Sequence, residues 1–433
     1  MTSAQDEAVD ICQDLIRFAS VNDGTGRGKG EREAAEYVAA KLTEVGIEPQ
    51  VFESATNRTS VVARIEGENP GREALLIHGH LDVVPAEPKE WTYDPFAGEI
   101  ADGCLWGRGA IDMLDMDAMT LAVVRERMRS GRKPPRDVVL AFVADEEAGG
   151  IFGAQWLVEH QRDLFDGCTE AISEVGGFSF SVNDDLRLYL IETAEKGMAW
   201  MRLTATGTAG HGSMTNDDNA VTRLCEAVAR LGAHSFPFHV TKTTRAFLDQ
   251  VGDAFGIELD SNDMEGTVAK LGPLARMLGA TLRNTANPTM LDAGYKHNVI
   301  PGRASAMVDG RYLPGFGDEW EREIDVVLGE GITREYVHYD IALETEFEGA
   351  LVDAMAAALK SQDPGARAVP YMLSGGTDAK SFSRLGMRCF GFSPLRLPAD
   401  LDFSGMFHGV DERVPIDSLH FGVRVLDRFL DLA

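Results

Sequence analysis

The stretch VVLAFVADEEAGG, residues 138–150, decides how this 433-residue chain is read. Val138 to Val143 form a continuous apolar run that lacks the alternating polarity of a half-exposed strand. That pattern belongs to a strand buried on both faces of a parallel sheet. The run stops at Asp145, Glu146 and Glu147. Carboxylates this close repel, so the cluster either holds a proton or surrounds a cation. The position is telling as well, because open α/β sheets collect their ligands beyond the carboxyl ends of their strands.

The same pattern extends outward. Residues 47–53, 59–67 and 73–82 read as strands and 116–131 as a helix, while Val9, Cys12, Leu15 and Ile16, then Ala35, Val38, Leu42 and Val45, recur at helical spacing, with Gly46 as a stop. This alternation predicts an α/β fold with a mixed, largely parallel sheet. After residue 195 the texture changes. GMAWMRLTATG (197–207) alternates, a helix starts near Asn219, and 287–301 and 303–313 are two strand-like runs close together. A helix at 318–329 and a strand at 335–344 complete a separate antiparallel sheet, and 349–361 and 388–395 resume the α/β pattern. The expected domains are therefore 1–195 with 345–433, and an inserted domain at 196–344. Residues 236–283 read as a helical insertion that could shape a specificity pocket.

Composition narrows the function. With 69 acidic residues against 41 Lys plus Arg, the formal charge is -28, which repels nucleic acid and anionic membranes. The opening residues lack a basic segment followed by an apolar core, and no apolar stretch is long enough to span a bilayer, so a cytoplasmic protein is expected. The 5 cysteines are scattered and never form a C-x-x-C pair, which argues against disulfides or a thiolate metal site.

Other strand ends carry matching chemistry. EALLIHGHLD (73–82) finishes in His78, His80 and Asp82; LWGRGAIDM (105–113) places Asp112 after a glycine-rich turn; AISEVGG (171–177) presents Glu174; FSGMFHGVDE (403–412) presents His408. Each piece is weak alone. Together, imidazoles and carboxylates without thiolates favour zinc, with cobalt or manganese as substitutes, and several carboxylates permit two ions bridged by one of them.

In this arrangement the chain resembles the zinc metallopeptidase family of aminoacylase, acetylornithine deacetylase, succinyl-diaminopimelate desuccinylase and glutamate carboxypeptidase. The resemblance rests on HGHLDVVP (78–85), GRGAIDM (107–113), ADEEAGG (144–150), SEVGG (173–177), EKGMAWMRLTATGTAGHGS (195–213), KHNVIPGRASAMVDGRYLPG (296–315), SGGTDAKSF (374–382) and MFHGVDERVP (406–415), in the family's order. It implies a zinc-exopeptidase-like catalytic domain and an inserted α+β, ferredoxin-like lid and dimerisation domain. It also implies two Zn2+ bridged by Asp112, with His80 and Glu174 completing one site and Glu147 and His408 the other. Glu146 is then the general base for a water shared by the two ions, and Asp82 orients His80. His78 carries no family role. In the inserted domain the resemblance implies that His211 reaches the partner subunit's active site as an oxyanion donor and that Asn298 and Arg311 contact substrate, while Gly375 and Gly376 let a backbone approach it closely.

Two features depart from the family. Leu114 and Asp115 stand where Lys and Gly are common, which removes a cationic partner behind the bridge, and the third-strand ligand is Glu174 where relatives carry either Asp or Glu. The expected activity is hydrolysis of an amide bond next to a free carboxylate, in a short peptide or an N-acyl amino acid, by a homodimer. The alternatives are an N-succinyl or N-acetyl amino acid deacylase of biosynthesis and a metal-binding relative without catalysis. Retention of Glu146, which the metals do not need, argues against the last.

Overall fold

The computed structural model describes residues 3–257, 263–270 and 274–433. They form two compact units, one of Met1–Thr193, Thr345–Tyr371 and Thr377–Ala433, the other of Ala194–Glu344 and Met372–Gly376. The second unit thus takes in Met372–Gly376, which the chain order alone leaves with the first. Met372 is buried with Ala194 and Leu313 in a small apolar cluster, and the Lys196 N–H donates to the Leu373 carbonyl at 3.2 Å.

The centre of the first unit is a run of parallel strands, in the spatial order Val138–Val143, Ala74–His80, Cys168–Ser173 and Arg388–Gly391. Their side chains are almost wholly buried, as continuous apolar runs require. Arg58–Ile65 and Gln50–Ala55 extend one side antiparallel, and Arg187–Glu195 pairs antiparallel on the other. The first helix, Ala4–Arg17, buries Val9, Cys12, Leu15 and Ile16, the residues its periodicity picks out, and packs on the helix Leu114–Ser130. The second, Arg32–Thr43, stops before Gly46, whose φ of 82° suits a residue without a side chain. A small sheet of Glu99–Ala101, Cys104–Trp106 and Arg413–Pro415 brings the chain just ahead of residue 107 against the C-terminal segment.

In the second unit the order Gly197–Thr206, helix Ala220–Ala233, Thr285–Ala293, Arg303–Tyr312, helix Gly317–Leu328, Ile332–Asp340 is the βαββαβ sequence of a ferredoxin-like fold. Its antiparallel sheet runs Thr285–Ala293, Arg303–Tyr312, Gly197–Thr206, Ile332–Asp340. Ala199, Met201, Leu203 and Ala205 are buried on the face that the helices cover, whereas Arg202 is exposed, so the alternation sorts the strand's two faces. Within residues 236–283, helices occupy Lys242–Phe255, Met264–Ala269 and Leu274–Thr281. Among the described residues no helix is long and apolar enough to cross a membrane.

A buried ion pair fastens the first unit's helix Ala350–Gln362 to its sheet. Arg187 donates twice to the Asp363 carboxylate, and the Tyr189 hydroxyl donates to it at 2.9 Å. Burial opposes ionisation, yet these bonds pull Asp363 down to about 2, below the ordinary 3.8. Its stabilisation is therefore complete above about pH 4 and is lost as pH falls through about 2. Asp363→Asn should cost on the order of 3 kcal/mol at pH 7. In urea unfolding the gap between wild type and variant should narrow from pH 7 to pH 3; an equal gap at both would remove the ion pair as its cause.

Candidate metal centre

The parallel strands deliver the chemistry at one edge. His80 closes Ala74–His80, in register with Val143 of the adjacent strand, and Glu146 and Glu147 open a single 3-10 turn just past that neighbour. On the other side Glu174 follows Cys168–Ser173 directly. Asp112 precedes the helix Leu114–Ser130, and His408 lies in the loop ahead of Arg413–Pro415. The bend after Val143 is tightly built: Asp145 has a left-handed φ of 70°, and a Cβ on Gly153 would stand 1.7 Å from the Ala144 carbonyl oxygen.

Asp112 lies between two imidazoles. Its Oδ1 is 3.2 Å from His80 Nε2 and its Oδ2 is 3.2 Å from His408 Nε2. His80 Nε2 is also 3.5 Å from Glu174 Oε2 and 4.0 Å from Glu146 Oε2, and His408 Nε2 is 3.1 Å from Glu147 Oε2. Among the described residues, two groups could hold a cation with all donor atoms within 4.8 Å: His80, Glu146 and Glu174, and His80, Asp112 and Glu147. His80 Nδ1 lies 2.9 Å from the Asp82 main-chain carbonyl. A carbonyl only accepts, so Nδ1 carries a proton and Nε2 is the nitrogen able to face a metal.

The electrostatics show what the centre lacks. Burial alone would keep His80 neutral, but Glu174, Asp112 and Asp82 push its pKa well above the usual histidine value. The Asp112 and Glu147 carboxylates raise His408 to about 10. Burial raises Glu174 to about 7 and lifts Glu146 well above the carboxylate range, where the neighbouring Glu174 charge adds to the effect. Asp112, beside both imidazoles, is held low despite its burial. Positive charge is therefore favoured among these carboxylates, and a divalent cation supplies it with more charge and more bonds than a protonated ring. The donor set fits one. It offers nitrogen and oxygen without thiolate, and the buried Glu147 Oε1 has no hydrogen-bond partner.

Asp82 meets both the imidazole and the acidic turn. Its carboxylate stands 3.6 Å from His80 Nδ1, and its two oxygens accept the Glu146 and Glu147 main-chain N–H groups at 3.1 Å each. It orients the acidic turn, while its carbonyl orients the imidazole. Asn22, which the motifs do not include, donates from Nδ2 to Asp82 Oδ2 at 2.8 Å and to Asp145 Oδ1 at 3.1 Å. Its Oδ1 accepts from Arg58 at 2.6 Å, and Arg58 is paired with the buried Glu31. No local signal marks these residues, because their partners lie dozens of positions away.

His78 is buried, packs tilted against Phe382 with ring centroids 4.6 Å apart, and is kept neutral by burial, with a pKa lowered to about 3. Asp115 is also buried, with Oδ1 lacking a partner, and burial raises its pKa well above the carboxylate range. In the second unit, a short ladder pairs His211 with Val299, and the Gly212 N–H donates to the Asn298 carbonyl at 2.9 Å. The Ser213 N–H donates to His211 Nδ1 at 3.3 Å, so the neutral ring carries its proton on Nε2. Arg311 is engaged with Asp309 at 2.6 Å and lies 6.0 Å over Trp200. A Cβ on Gly375 would meet nothing closer than Leu373 at 3.6 Å, so packing does not require glycine there.

Removing the Asn22 amide leaves Asp82 and Asp145 facing each other without a shared donor. Asn22→Ala should cost about 2–3 kcal/mol, the scale of buried hydrogen bonds to charged groups. Denaturant unfolding checks this, and a change below about 0.5 kcal/mol, the level of an ordinary surface substitution, would refute the bridging role.

Peptidase family M20/M25/M40 matches residues 76–432. The probable carboxypeptidase S-like 2 of Dictyostelium discoideum is 29% identical over 383 residues, covering 82% of this chain and 71% of that protein. Aminoacylase-1 of Sus scrofa is 27% identical over 398 residues, covering 88% and 85%. The M20 family metallo-carboxypeptidase Sso-CP2 from Sulfolobus solfataricus shares the fold, with a TM-score of 0.75 over 99% of each chain at 18% identity. With the strand-end histidines and carboxylates inside the matched region, the chain belongs to the M20/M25/M40 peptidase family and is a metal-dependent amidohydrolase or peptidase.

Proposed function

We propose that the protein is a dinuclear zinc hydrolase that cleaves an amide bond adjacent to a free carboxylate, in a short peptide or an N-acyl amino acid. The observation that carries this reading is the Asp112 carboxylate, whose two oxygens face two different imidazoles at 3.2 Å. His80 and Glu174 would complete one site, and Glu147 and His408 the other. Cobalt or manganese suits the same donors. Ions bound there would acidify a water and polarise the scissile carbonyl.

Glu146 is assigned as the general base. The assignment follows the family resemblance; Glu146 Oε2 stands 4.0 Å from His80 Nε2, and Glu146 also belongs with His80 and Glu174 to one of the candidate donor groups. It takes a proton from the attacking water and returns it to the leaving amine, a cycle favoured by a carboxyl whose affinity for protons is raised by burial. His211, with its proton on Nε2, is assigned as an oxyanion donor across a homodimer, and Asn298 as a substrate contact. Arg311 would exchange Asp309 for the substrate carboxylate, to which its forked donors are suited. Support for the substrate class comes from two relatives whose names are a carboxypeptidase and an aminoacylase, whose substrates share an amide beside a carboxylate.

The test combines metal content with turnover of N-acyl amino acids and dipeptides, each compared with its C-terminal amide. Wild type should prefer the free acids, and Arg311→Ala should lose most of that preference. Glu146→Ala should keep both metals and lose about 10²-fold or more in kcat, whereas Glu147→Ala should lose metal. A Glu147 variant that keeps full metal content and outperforms the Glu146 variant would reverse the two assignments, and no turnover across a broad panel would refute the activity.

A further inference from the structure

Asp112 and His408 come from segments almost 300 positions apart and belong to different secondary elements, yet one oxygen of Asp112 and the imidazole of His408 must meet at a single point. His408 is poorly placed to hold itself there. Its side chain is 56% exposed and its backbone φ is 56°, a left-handed conformation that a non-glycine residue adopts at a cost. Something outside the ligands has to fix the loop.

We propose that Arg108 and Glu412 form a clasp that positions Asp112 and His408 together, making the cation site of Asp112, Glu147 and His408 dependent on this pair. The inference rests on the dinuclear reading above. The clasp begins where the small sheet ends: Arg413 pairs with Trp106, and the Gly107 N–H donates to the Glu412 carbonyl at 3.0 Å. From there the side chains take over. Arg108 Nη1 donates to Glu412 Oε2 at 2.6 Å, and its Nη2 donates to the carbonyl of Gly409, the residue after His408, at 2.9 Å. Glu412 Oε1 accepts the N–H of Ile111, the residue before Asp112, at 2.9 Å.

Each member of the pair therefore bonds to the main chain beside the opposite ligand. Both are almost fully buried, and Arg108 lies 5.1 Å over the Trp91 ring, so the geometry is not loosened by solvent. The outer end of the His408 loop is tied separately, since Asp411 accepts from the Thr92 N–H and hydroxyl at 2.7 and 2.8 Å. His80 and Glu174, by contrast, are held by strands of the central sheet and need no such device.

Glu412 is also chemically specific. Both of its carboxylate oxygens face donors, Arg108 on one side and the Ile111 N–H on the other. A glutamine of the same shape must turn its NH2 toward one of them, so Glu412→Gln breaks the clasp with almost no change in volume.

The experiment is calorimetric titration of the metal-free full chain with zinc, for wild type, Glu412→Gln, Arg108→Lys, His408→Ala and Arg187→Lys. The last weakens the buried pair with Asp363, which touches neither ligand loop. Circular dichroism establishes that each variant is folded. Wild type and Arg187→Lys should bind two equivalents. In the two clasp variants the site of Glu147 and His408 should weaken about 10–100-fold, the range for residues that orient metal ligands, and the site of His80 and Glu174, which shares only Asp112 with the clasp, should weaken much less, approaching the behaviour of His408→Ala. Clasp variants that titrate like wild type, or that weaken both sites equally, overturn the clasp while leaving the dinuclear reading intact. A Glu412→Gln protein that does not fold also overturns it, by making the pair a stability element. Wild type binding fewer than two equivalents removes the dinuclear reading and the clasp with it.

Discussion

Negative charge crowded around one buried imidazole is the constraint on which the rest of the structure depends. His80 is almost inaccessible to solvent, and the carboxylates of Asp112, Glu174 and Glu146 converge on its Nε2. In a medium of low effective dielectric such a set cannot stay ionised without compensating positive charge. The protein answers at three levels. The proton affinities of His80, His408 and Glu146 are raised above their ordinary values. Fixed donors aim at the remaining oxygens, as when the Glu146 and Glu147 amides point at Asp82. Cations placed among the oxygens would then replace the protons with stronger and better directed charge.

Architecture follows from that need. Parallel strands end side by side, so His80, the Glu146–Glu147 turn and Glu174 arrive at the same edge without long loops. A rigid sheet places these groups more precisely than loops would. The groups that do come from loops, Asp112 and His408, are the ones with dedicated buried supports in Arg108 and Glu412. Backbone strain is concentrated here too, with Asp145 and His408 both in left-handed conformations.

Much of this was legible in the chain because it is locally encoded. Continuous apolar runs mark the buried strands, the alternation of Ala199, Met201, Leu203 and Ala205 marks the half-covered sheet of the second unit, and His80, the Glu146–Glu147 pair and Glu174 sit at or just past the ends of their own runs. What escaped was long-range pairing. Asn22 finds Asp82 across 60 positions and Asp145 across 123, and Arg108 finds Glu412 across 304. An isolated Asn or Arg carries no periodicity that reveals a distant partner. The spacing of Asp82 from His80 announced a contact with the ring, but the bonds from its carboxylate to the acidic turn appear only in the fold. Arg311 shows the converse, since its motif suggested a ligand while the sheet supplies Asp309 as its present partner.

The central claim is that Asp112 joins two cations, and anomalous scattering tests it most directly. Crystals of the zinc-reconstituted protein measured on both sides of the zinc absorption edge should give two peaks about 3.5–4 Å apart, the spacing of two-metal hydrolases. One peak should lie beside His80 and Glu174, the other beside Glu147 and His408, with the Asp112 carboxylate between them. A single peak, or a pair that does not share Asp112, would contradict the dinuclear centre.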